Sequence, residues 1–87
     1  MTQVVRNQDV IWDRVDGLLV LCHTGTGEFF RLNETGAFIW ELCEQQTLEE
    51  IIKDIQRKYP AESFAHISAA VNEYILALRV QDLLRKS

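Results

Sequence analysis

The chain has 87 residues, of which 47% are apolar and 25% charged, and its net charge is −4. That size suits one domain, expected over residues 1–87, and the apolar fraction excludes a disordered tail. No run nears the roughly 20 apolar residues of a membrane span, and no basic segment followed by an apolar one opens the chain, so no secretory signal is read and the cytoplasm is the expected location.

Val10 to Val15 reads as a first strand, rich in β-branched and aromatic residues. Asp16-Gly17 suits a two-residue type I′ hairpin turn into a second strand, Leu18 to His23, whose nearly continuous apolar character fits a central position. Thr24-Gly-Thr-Gly27 forms a longer turn. Glu28-Phe-Phe-Arg-Leu32 is then a third, edge strand of an antiparallel meander.

Near Asn33 the apolar spacing turns helical. Asn33 is placed to cap a first helix that runs to about Cys43, and Ala37, Phe38, Ile39, Trp40 and Leu42 bury it on more than one side. Thr47-Leu-Glu-Glu50 is a capping box opening a second helix, whose Leu48, Ile51, Ile52, Ile55 and Tyr59 form one stripe before Pro60 closes it. A third helix is predicted from Phe64 or His66 to Arg79, with Ile67, Ala70, Val71, Tyr74, Ile75 and Leu78 on its apolar face. Leu83-Leu84 adds a last apolar anchor. The fold class is therefore α+β, a three-stranded antiparallel sheet followed by three helices, winged helix-turn-helix-like in outline.

Catalytic constellations are missing. Cys22 and His23 are neighbours on a strand and so point to opposite faces, and no lysine and hydroxyl follow Gly25 or Gly27 as a phosphate loop demands. Cys22 and Cys43 read as buried free thiols, and with His23 and His66 they make no metal-ligand spacing, so no enzyme activity, cofactor or metal is expected. Nucleic acid is excluded as a partner because Tyr59 through Leu78 holds no Lys or Arg and the chain is acidic. Nor is a membrane expected as a partner.

Peptide binding has positive support. Edge strands are commonly blunted by proline or lysine, yet Glu28, Phe29, Phe30, Arg31 and Leu32 include neither. An incoming strand would gain affinity from main-chain bonds and specificity from alternate side-chain pockets. Phe30 and Leu32 share the face expected to pack on the core, while Phe29 and Arg31 take the other. Trp12, Val20 and Phe29 make the sheet's outer face apolar enough to expect a cover, either the Val4-Val5 segment or a partner enzyme.

At Gly17-Leu-Leu-Val-Leu, at Thr26-Gly-Glu-Phe-Phe-Arg-Leu-Asn33 and at Glu34-Thr-Gly-Ala-Phe-Ile-Trp-Glu-Leu-Cys43 the chain resembles the PqqD-like proteins, the RiPP recognition elements of ribosomal peptide biosynthesis. The pattern G-x-x-x-x-L-N-x-T-G, from Gly27 to Gly36, is the most diagnostic part, and the likeness continues through Thr47-Leu-Glu-Glu-Ile-Ile, Lys58-Tyr59 and Leu83-Leu84. The aromatic pair before Arg31 and the free-standing length are most similar to the B1 proteins of lasso peptide clusters. Gln45-Gln46 and Asp82 depart from glycines common in the family.

The resemblance implies a non-catalytic adaptor that takes the leader of a precursor peptide as an added strand and hands it to a B2-like leader peptidase, with a cyclase acting afterwards. It implies a site made of Glu28, Phe29, Phe30, Arg31 and Leu32 on the third strand, with a wall drawn from Ile67, Ala70, Val71, Tyr74, Ile75 and Leu78. Tyr74 is the preferred groove residue, since its hydroxyl favours a half-exposed position. Two other readings are a PQQ-pathway peptide chaperone for a radical SAM enzyme and a structural or dimerisation module using the same edge.

Overall fold

The computed structural model describes residues 3–86. In chain order the elements are β1 (Gln3–Arg6), β2 (Val10–Val15), β3 (Leu18–His23), β4 (Glu28–Leu32), α1 (Glu34–Leu42), β5 (Glu44–Thr47), α2 (Leu48–Lys58), α3 (Phe64–Val80) and β6 (Leu84–Lys86). They make two antiparallel sheets and three helices, with strand orders β2-β3-β4 and β5-β1-β6.

The first sheet is the expected meander. Asp16 and Gly17 both take positive φ, 51° and 83°, which closes β2 on β3 with the twist a two-residue hairpin needs. Alternation along β3 turns Leu19, Leu21 and His23 inward, where Leu21 and Trp40 are fully buried among Ile39 and Ile51. The three helices begin at side-chain caps. Asn33 accepts from the Gly36 amide, Thr47 and Glu50 complete a reciprocal capping box, and Ser63 accepts from the His66 amide. The same Thr47 bonds hold the exposed Glu50 carboxyl below its ordinary range.

The second sheet was not anticipated. Val4 and Val5 do not cover the outer face of the first sheet, since β1 lies between β5 and β6. Its strands have four, four and three residues, and β5 reads Glu-Gln-Gln-Thr, so no apolar alternation betrays it. Gln46 pairs with Val4 and Gln45 is the extra residue where the register shifts, and neither takes the positive φ that would call for glycine. Trp12 also departs from expectation. It lies on the inner face, meeting the Trp40 ring edge-on at 5.4 Å between centroids, with the Arg6 guanidinium 4.9 Å from its own centroid.

Asp82 explains the other missing glycine. Its φ is 60°, the left-handed region glycine would occupy without strain, and its carboxylate compensates by joining three segments. The buried His23 ring accepts from the Gly25 and Thr26 amides through Nδ1, at 3.1 and 3.3 Å, so its proton sits on Nε2 and is donated to Asp82 Oδ2 at 3.0 Å. The fully buried Asn7 donates through Nδ2 to the Asp82 carbonyl at 2.7 Å and accepts from the Asp9 amide at 3.0 Å. Together these bonds tie the end of β3, the turn after β1 and the exit of α3.

Cys43 is buried and Cys22 half-buried on the sheet's outer face; both are free. Burial pushes the Cys43 thiol up to about 12, against an opposing pull from Arg6 and Arg79.

Replacing Asn7 by Ala strands buried backbone partners, and stability is expected to fall by about 1–3 kcal/mol. A urea transition with a lower midpoint and an unchanged slope would register that loss. For the thiols, maleimide labelling of the native chain near pH 8 is expected to stop at one adduct, mapped to Cys22 by mass spectrometry. A second adduct at Cys43 should appear only on addition of denaturant.

Candidate functional site

β4 forms one edge of its sheet, bonded among the described residues to β3 alone. Its main-chain groups on the other side are therefore available to an incoming strand. Strand alternation commits the side chains. Leu32 is buried opposite Leu19, Phe30 is half-buried against the core opposite Leu21, and Glu28 shares their face at the exposed end. Phe29 and Arg31 point to the outer face, and Phe29 is 72% exposed.

The helix candidates separate by burial. Ile67, Val71, Ile75 and Leu78 are each at most 4% exposed and pack into the core, so they fix the position of α3 rather than face outward. Ala70 is exposed and Tyr74 half-buried, and these two form the accessible flank of the stripe. Tyr74 is tied to the end of β4. Its hydroxyl donates to Asn33 Oδ1 at 2.7 Å, and the same oxygen accepts from the Gly36 amide at 2.8 Å.

Gly36 makes that arrangement possible. A Cβ there would lie 2.7 Å from the Tyr74 ring, closer than carbon atoms approach. In the fold, Gly36 is the space into which Tyr74 leans. A second feature that sequence reasoning missed is a cavity of about 200 Å³ between the three helices. Thr35, Ile39, Tyr59, His66 and Ala70 are among its lining, so it opens just beyond the Asn33 end of β4. Only the tertiary packing of three helices assembles it. The signal in hand was Ala70, the small residue in a stripe of larger ones.

Gly36→Ala is expected to destabilise by about 1–3 kcal/mol, because the ring must leave and the hydroxyl bond breaks with it. Combining it with Tyr74→Ala should cost less than the two single losses summed, a coupling that a double-mutant cycle of denaturation free energies measures.

A search of curated proteins gives no match. Among solved structures the chain is similar to one described as TbiB1 in complex with the TbiA(beta) leader peptide, with a TM-score of 0.84 and 28% identity over 93% of this chain and 94% of that one. The family profile described as Coenzyme PQQ synthesis protein D (PqqD) matches residues 19–84, which run from β3 through the three helices to the start of β6. The β3-β4 hairpin, the Asn33 cap and the helix that returns to it lie within that match, and the chain belongs to the PqqD family.

Proposed function

We propose that the chain is a non-catalytic adaptor for the leader of a ribosomally synthesised precursor peptide, taken up as an added strand along β4 and presented to a leader peptidase in the cytoplasm. The observation that carries this reading is the likeness, over nearly the whole chain, to a structure holding a leader peptide. The geometry agrees with it. Among the described residues β4 is unpaired on one side, and it is free of proline and lysine and bordered by Tyr74 at its Asn33 end. A disordered leader loses chain entropy on ordering, so side-chain contacts must add to the main-chain bonds, and Phe29 and Phe30 on β4 with Ala70 and Tyr74 on α3 are apolar groups that keep exposed surface.

The non-catalytic part of the proposal rests on chemistry. Cys43 stays a buried, protonated thiol, and Cys22 and His23 face opposite sides of β3 with the imidazole engaged by Asp82. A lasso peptide pathway is favoured by the aromatic pair Phe29-Phe30 and by the leader-bound relative. The family's own description supports a second reading, a peptide chaperone in PQQ synthesis.

Fluorescence anisotropy with a labelled leader from the same gene cluster, and a scrambled leader as control, tests the proposal. Saturable binding of the true leader alone is expected, and Tyr74→Ala should weaken it about tenfold, near 1.4 kcal/mol. Equal binding of leader and scramble, with the peptidase present, would sink the adaptor reading. Binding untouched by Tyr74→Ala in a folded variant would move the site off this flank.

A further inference from the structure

The register of the first sheet sets its outer face in rows. Ile11, Cys22 and Phe29 lie side by side across β2, β3 and β4, and the next row is Asp13, Val20 and Arg31. Val15 and Leu18 continue the apolar surface beyond them. Ile11, Val15, Leu18 and Phe29 are all exposed, from 43% at Leu18 to 72% at Phe29, and no described segment covers them. A contiguous apolar sheet face of this kind on a small chain marks a contact surface.

The charges on that face say what fits it. Asp13 and Arg31 stand on either side of Val20, one strand away in each direction. Among the described residues neither belongs to an ion pair. We propose that this face is the contact between two copies of the chain, stacked sheet on sheet about a two-fold axis running along β3. Rotation about that axis lays β2 of each copy over β4 of the other. Each Asp13 then meets the other copy's Arg31, each Ile11 meets a Phe29, and Val20 and Cys22 meet their own equivalents on the axis. The face is complementary to itself in charge, as an isologous contact requires.

The stack covers the face of β4 and leaves its edge open, so the inference goes beyond the leader-binding reading and stands apart from it. It also differs from pairing through the edge. Three strands about 4.8 Å apart and five residues long at about 3.3 Å each present roughly 250 Å² of flat face, which places the pair among small, reversible contacts.

Sedimentation velocity of the full chain without leader, from about 5 to about 500 µM, tests the assembly. The mean mass is expected to rise from one chain towards two over that range. Arg31→Asp and Asp13→Arg, both at exposed positions, should each raise the dissociation constant at least about tenfold by setting like charges together, and the double swap should restore it to within about threefold. A chain that stays single at the highest concentration overturns the proposal, as does a dimer indifferent to both reversals. A single chain whose face instead holds the leader peptidase, with Arg31→Asp weakening that complex, would also overturn it.

Discussion

Asn33 Oδ1 accepts two hydrogen bonds, from the Gly36 amide and from the Tyr74 hydroxyl, and a carboxamide oxygen has two lone pairs to give. One bond starts α1, and the other fastens α3 to the end of β4. Because Leu32 immediately before it is buried opposite Leu19, the residue that caps α1 is also held in register with the sheet. The pattern L-N-x-T-G is thus a three-way joint. Leucine anchors the strand, asparagine serves two helices, and glycine leaves room for the ring that reaches across. Replacing any one of these removes part of what fastens α3 to the end of β4.

Much of the fold was legible because it is carried by local signals. The boundaries of β2, β3 and β4 follow from Asp16-Gly17, the Gly25 to Gly27 turn and Asn33, and those of α2 from a capping box and Pro60. The second sheet was illegible for an equally physical reason. Its strands are short, one is polar, and β1 at the centre is held by two partners from distant parts of the chain. Trp12 shows the limit of composition without alternation. Counted as a large apolar residue it belongs with Val20 and Phe29, yet its even position turns it to Trp40 and Arg6.

The site was legible on the strand and half-legible on the helix. A strand's two faces are 180° apart, so β4 sorts itself once one residue is placed. On α3 the neighbours in the stripe are only about 40–60° apart around the axis, so Ala70 and Tyr74 cannot be told from Ile67 and Val71 by spacing. Their chemistry is the better guide. A phenol at the margin of a core takes its hydroxyl to a polar partner, here Asn33. An alanine in a row of larger side chains leaves space, here part of the cavity between the helices.

Edges of sheets invite unwanted pairing, and the molecule treats its edges unequally. β5 is polar and β6 carries Arg85, so the second sheet offers no apolar template. β2, the other edge of the first sheet, bears Asp13 and Arg14, and Arg14 reaches Glu41 of α1 at 2.7 Å. β4 is left with two aromatics at its centre and charges only at Glu28 and Arg31. β4 differs from the other edges in its aromatic pair and not in its charge, and an exposed Phe29 beside an open edge adds nothing to the core. The Asn33 joint brings Tyr74 to the end of that same strand. Among the described residues, the open side of β4 and the helix fastened at its end are therefore set relative to one another by a single asparagine.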